Sequence, residues 1–177
     1  LSVINSLPAL SAGATRIHAC ALGIGERVGN TPMDALLLNL MLLGWLDVDL
    51  RELPAYCAAV SKATDTPVAK NTPGVGQDAF QTGTGVHAAA VLKAIRTGDT
   101  WLANRIYSGV PADELGREQE IMVGPMSGKA NALAWLSKRG YPCDDETIEK
   151  VMATAKTSDH ILCEDEILGL LGSEYIL

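Results

Sequence analysis

The sequence predicts a mainly α-helical chain with little β structure, opening on a helix, strand, glycine turn and helix in that order. Alanine, leucine and glycine are abundant, whereas aromatic residues make up only 5%. That composition suits close-packed helices better than an all-β sandwich. One short apolar stretch, Arg16 to Leu22, runs into Gly23-Ile24-Gly25-Glu26-Arg27-Val28-Gly29-Asn30-Thr31-Pro32, which leads into a long apolar helix. A glycine-rich turn at such a junction belongs to the C-terminal mouth of a βα unit, where α/β barrels bind ligands.

Each element follows from local signals. Residues 2–11 read as a helix, with Val3, Leu7 and Leu10 three and four apart and Pro8 as a kink. Arg16 to Leu22, short and apolar between glycines, fits a buried parallel strand. Thr31 is the expected N-cap of the next helix, with Pro32 at its first position and Asp34 in its first turn. That helix, 32–43, is apolar nearly all round and should be buried on most sides. Up to Gly44 the pattern is that of the closing units of a barrel or a doubly wound sheet. Asp49-Leu50-Arg51-Glu52 resembles a capping box for a helix reaching 62 or 63. The turn-rich stretch 64–76 reads as a connector. Helices are then expected over 86–96, 100–106, 129–138, 144–156 and 165–171, with a strand over 118–123. In the helix 144–156, Ile148, Val151, Met152 and Ala155 form a single packing stripe. The predicted organisation is 1–46 as the end of a barrel domain, 47–76 as helix and linker, and 77–177 as a helical subdomain.

Composition bounds the function. The chain has 177 residues, enough for a real core, and a net charge of −7 that argues against a nucleic-acid partner. No apolar run approaches the roughly 20 residues a bilayer requires. Cys20, Cys57, Cys143 and Cys163 form no CxxC pair, so no zinc framework is expected, and reduced thiols in a cytoplasmic protein are the natural reading. The chain opens on Leu1 in mid-helix, which predicts the back portion of a larger enzyme.

Three constellations carry candidate chemistry. In the glycine turn, Val28 stands where the third glycine of GxGxxG belongs, so a dinucleotide fingerprint is not met. The turn does carry Glu26 and Arg27, expected as a buried or half-buried pair serving a site. The alternative is a tight turn in which Asn30 merely tolerates an awkward backbone angle. The second constellation is Thr82-Gly83-Thr84-Gly85-Val86-His87, with the imidazole in the first turn of a helix. The positive end of the macrodipole there favours a neutral proton acceptor; a histidine bonded to a nearby carbonyl is the structural alternative. Tyr107 is a phenol offered at a loop, or an amphipathic ring at a packing edge. Third, Gly124-Pro125-Met126-Ser127-Gly128 lacks the GxSxG spacing of an acyl-serine hydrolase, but amides around Ser127 at a helix start suit an anionic group.

Taken together, Leu22-to-Asn30, Gly76-to-His87 and Gly124-to-Gly128 resemble the acyl-CoA-condensing group of 2-isopropylmalate, homocitrate and citramalate synthases. The resemblance covers residues 1 to about 140, with three motifs in the family's order. The isopropylmalate branch is the most similar, because homocitrate synthases often lack an asparagine at the position of Asn30. The resemblance implies the last βα unit of a (β/α)8 TIM barrel and a divalent metal (Mn2+, Mg2+ or Zn2+) held in part by Asn30. It also implies a metal-assisted condensation of acetyl-CoA with a 2-oxo acid such as 2-oxoisovalerate, in leucine biosynthesis. His87 and Tyr107 match a catalytic pair that reaches a partner subunit, implying a homodimer with subdomain exchange. Gly25, Glu26, Arg27 and Ser127 are the expected substrate or CoA contacts. The remaining metal ligands should lie upstream of Leu1, so this fragment alone should be inactive. Many relatives carry Glu and Thr where His18 and Cys20 stand, and the regulatory domain that gives leucine feedback in some members is not expected. The competing reading from another class is a non-catalytic helical module that binds a partner.

Overall fold

The computed structural model describes residues 1–172. It is mainly helical: α1 (Ser2–Ser11), α2 (Met33–Leu42), α3 (Leu53–Thr64), α4 (Gly85–Arg96), α5 (Thr100–Ala103), α6 (Lys129–Arg139), α7 (Asp145–Thr157) and α8 (Glu164–Leu171). Four two-residue strands, β1 (Ala19–Cys20), β2 (Thr31–Pro32), β3 (Gln81–Thr82) and β4 (Glu120–Ile121), form two separate parallel pairs, β1 with β2 and β3 with β4. No closed barrel occurs among the described residues. The expected strand 16–22 is therefore much shorter. Arg16 to His18 find no ladder partner in the described chain, and backbone groups without a partner do not hold a strand.

The chain divides into two compact units, Leu1–Phe80 with Ser108–Glu118, and Gln81–Tyr107 with the residues from Gln119 onward. In the first unit, Leu38 of α2, Leu50, Leu53 and Cys57 of α3, Phe80, Ala112 and Leu115 form one buried cluster. Arg117 fastens the returning segment, donating to Gly76 O at 2.6 Å and lying over the Phe80 ring at 5.0 Å. Three expectations change here. Helix α2 begins at Met33 with no side-chain cap, because the Thr31 backbone pairs with Ala19 and its hydroxyl shares a 3.0 Å hydrogen bond with Ser6. Its apolar surface is also less covered than expected: Leu36 and Leu38 are buried while Leu42, Leu43 and the following Trp45 are exposed. The capping box before α3 is likewise absent. The Asp49 carboxylate instead takes the Arg51 guanidinium and amide, which hold its carboxyl down to about 2.

In the second unit, the stripe Ile148, Val151, Met152 and Ala155 of α7 packs with Val123, Ala132, Trp135, Leu136, Leu162 and Ile167. The helices stop where the chain signals it: Asp144 accepts from Thr147 N at 2.9 Å at the head of α7, and left-handed Gly140 ends α6. A polar staple joins the β3 and β4 ends. Asn131, fully buried, donates to Gly83 O (3.2 Å) and Met122 O (2.9 Å) and accepts from Gly128 N (3.1 Å).

Between α7 and α8, exposed His160 lies 2.8 Å from Asp159 and 2.9 Å from Glu166. The hydrogen bond to Asp159, then that to Glu166, raises its pKa above the ordinary 6.5. A raised folded value means that its stabilisation is complete below about 6.5 and fades as pH rises through the folded value. We expect the melting-temperature gap between wild type and His160→Gln to shrink as pH climbs above neutrality. A gap independent of pH would contradict it.

Candidate functional site

The glycine turn of the first unit is built around close backbone approach. Asn30 N donates to Gly23 O at 2.9 Å, closing the turn on itself. Gly29, at φ +115°, lies so near that a Cβ there would run into the Gly23 carbonyl oxygen, and a Cβ at Gly25 would strike the Asn30 amide nitrogen. Leu22, Arg27 and Val28 all take left-handed backbone angles, at φ 55°, 51° and 69°. For β-branched Val28 this conformation is an outlier. Such angles persist only where the surroundings dictate them, and they gather at functional sites.

The turn fixes the Asn30 side chain. Its Nδ2 donates to Ile24 O at 3.0 Å and lies 3.6 Å from Cys20 Sγ. A carbonyl acceptor settles which amide end is nitrogen, so Oδ1 lies on the other side, and among the described residues no hydrogen bond to it occurs. Asn30 is exposed. An amide held by its nitrogen and open at its oxygen is a competent hard ligand for a divalent cation. Among the described residues no group of three His, Cys, Asp or Glu gathers around a point.

Glu26 and Arg27 differ from expectation. They form a 2.9 Å ion pair, but their side chains are 86% and 85% exposed. With both neighbours glycine or exposed valine, nothing apolar covers them. His18 is also exposed.

A residue legible in the sequence only as a first-turn acid anchors the turn. Asp34, 3% exposed, accepts from Leu22 N at 2.8 Å. The signal was a lone acid in the otherwise apolar run of α2. Burial, then the Asp34 charge, pushes the neighbouring Cys57 thiol up to about 11, so it stays protonated. All four cysteines are free.

In the second unit, His87 in the first turn of α4 stacks on Tyr107, with ring centroids 4.0 Å apart and planes at 27°. Both side chains are exposed, Tyr107 at 49%. The structure thus brings this pair together, although 20 residues separate them, and turns it outward. Ser127 is different. Its hydroxyl donates to Gly83 O at 2.6 Å and accepts from Gly124 N at 2.9 Å, while its amide donates to Gly124 O and that of Gly128 to Asn131. Buried and saturated, Ser127 is a structural knot, and these donors are not open to an anion.

Residues 1–60 match the HMGL-like family. Over most of its length the chain is similar to a (R)-citramalate synthase of Aquifex aeolicus, 31% identical over 96% of this chain and 32% of that protein. It is also similar to a probable 2-isopropylmalate synthase of Methanopyrus kandleri (28% identical; 88% of this chain, 30% of that protein) and to a homocitrate synthase of the same organism (31%; 88% and 38%). The chain spans about a third of the length of these curated relatives. The three synthase names stand at nearly equal identity, so the expected priority of the isopropylmalate branch does not emerge. Among the described residues no helix is long and apolar enough to cross a membrane.

The turn geometry sets a stability expectation. Gly29→Ala should cost on the order of 3–4 kcal/mol, combining a left-handed alanine with a backbone collision. Gly98→Ala, also left-handed but in open space, should cost about 1–2 kcal/mol. Denaturant unfolding of the two variants checks this; equal losses would contradict it.

Proposed function

We propose that this chain is the C-terminal portion of an HMGL-like, acetyl-CoA-dependent acyltransferase that condenses acetyl-CoA with a short 2-oxo acid. The observation carrying this reading is the orientation of Asn30, tied at its nitrogen to Ile24 O and open at its oxygen. A divalent cation (Mn2+, Mg2+ or Zn2+), when bound, supplies Lewis-acid polarisation of the 2-oxo acid's ketone. Asn30 Oδ1 is this chain's ligand for it, the others coming from outside the chain.

In the reaction acetyl-CoA loses a methyl proton and its carbon bonds to the ketone carbon. The ketone oxygen gains a proton, and water cleaves the thioester to release the CoA thiol. His87 is the residue of this chain suited to move a proton, through an imidazole nitrogen, with the Tyr107 ring holding it by stacking and its hydroxyl within the same outward-facing pair. The strained turn around Gly25, Glu26 and Arg27 is assigned to substrate, with the two exposed charges free to meet a carboxylate or a CoA phosphate. The exposed apolar side chains Val86, Trp101 and Met126 favour a homodimer in which this unit faces a second copy. The same side chains favour the competing reading, a non-catalytic helical module for a partner. The 2-oxo acid is that of an isopropylmalate, citramalate or homocitrate synthase, with 2-oxoisovalerate the first to test.

Free-thiol release from acetyl-CoA, measured on the full-length protein with 2-oxoisovalerate and other short 2-oxo acids, tests the proposal. His87→Ala should lower turnover by about 10²–10⁴-fold while leaving metal content intact. Absence of thiol release with every 2-oxo acid would favour the non-catalytic module, and unchanged turnover would remove His87 from the mechanism.

A further inference from the structure

We infer that Asp34 is a positioning residue for Asn30, acting through the backbone of the glycine turn; the inference rests on the metal-ligand reading of Asn30 given above. The path is short and continuous. The buried Asp34 carboxylate accepts from Leu22 N at 2.8 Å. Leu22 is held at φ +55°, a left-handed angle that a leucine adopts only against a steric cost. Together with left-handed Gly23, at φ +65°, that angle turns the chain so that Gly23 O faces back across the turn. Gly23 O accepts from Asn30 N at 2.9 Å, and the Asn30 side chain then passes over Gly25, where no Cβ blocks it, to reach Ile24 O at 3.0 Å. Asp34 thus lies four residues beyond Asn30 and ties the exit of the turn back to its entrance.

The energetics favour a positioning role over a general one. Burying a carboxylate is costly unless it is well bonded. Its setting in the first turn of α2 eases that cost through the macrodipole, and a charge-assisted bond to an amide is stronger than a neutral one. The apolar cluster of this unit does not need a charge at position 34, since helix α2 buries Leu36 and Leu38 on its own account. What the carboxylate oxygen secures, by accepting from Leu22 N, is the left-handed Leu22, and with it the direction of Gly23 O. Neither Glu26 nor Arg27 does this, since both point to solvent.

Co2+ titration of the full-length protein, followed by the visible absorption of the bound ion, tests the inference. Supporting groups behind metal ligands typically govern affinity by 10–100-fold. Asp34→Ala should weaken Co2+ binding by about tenfold or more and change the visible band, approaching Asn30→Ala. Asp34→Asn, which keeps an oxygen for Leu22 N, should stay within about threefold of wild type, and Asp34→Ala added to Asn30→Ala should weaken binding no further. Wild-type affinity in Asp34→Ala beside a loss in Asn30→Ala would overturn the positioning role while leaving the ligand reading intact. Asp34→Asn as weak as Asp34→Ala would overturn it too, because charge rather than the bond to Leu22 would then matter. Full affinity in Asn30→Ala would remove the ligand reading and this inference together. If Asp34→Ala does not fold, Asp34→Ser, whose hydroxyl is too short to reach Leu22 N, takes its place under the same expectations.

Discussion

One hydrogen bond, from Leu22 N to the buried carboxylate of Asp34, closes the turn on which the candidate site stands. The turn is expensive to hold. Three non-glycine residues, Leu22, Arg27 and Val28, adopt left-handed angles, each at a cost of about 1–2 kcal/mol. A hydrogen bond to a charged group contributes about 1.5–3 kcal/mol, comparable with the strain of one or two of them. The remaining strain is offset by the amide of Asn30 on Gly23 O and by the short β1–β2 pairing that brackets the turn. Removing the carboxylate leaves the left-handed Leu22 without the bond that compensates its strain.

The second unit solves a similar problem with neutral groups. Ser127 and Asn131, both buried, collect the carbonyls of Gly83 and Met122 and the amides of Gly124 and Gly128. These backbone groups lie just beyond the two-residue strands or at the head of α6, where a buried polar group left without a partner is costly. This staple steadies the loop that enters α4, whose Gly85 N also donates to Met126 O at 2.9 Å. The first turn of α4 carries His87, so the rigidity of the staple reaches the imidazole through only a few bonds. Its stacked partner Tyr107 adds a second restraint. His87 is thus stacked on one face by Tyr107 and carried on a helix whose entry loop is pinned.

Much of the helical framework was legible because its signals are local. The stripe of α7, the end of α1 near Ser11 and the glycine stop after α6 depend on residues within one or two turns. Several of the failures involve partners distant in sequence. Thr31 reads as an N-cap, yet Ala19 and Ser6 claim its backbone and hydroxyl. Ser127 reads as part of an open amide site, yet Gly83, 44 residues away, takes its hydroxyl. Glu26 and Arg27 read as a sheltered pair because glycines and apolar residues flank them, but a turn bulging from the unit leaves them in solvent. Asp34 was seen only as a first-turn acid. Its true partner precedes the turn, and no periodicity reports a hydrogen bond made across a loop.

The account stands or falls on the oxygen of Asn30. A crystal structure of the full-length protein grown with Mn2+, with the ion located by its anomalous scattering, measures this most directly. The expected result is Asn30 Oδ1 in the inner coordination shell of the ion, with Nδ2 still on Ile24 O. An Mn2+ ion ligated without Asn30, or an Asn30 amide turned over so that its oxygen is engaged by protein donors, would contradict the account.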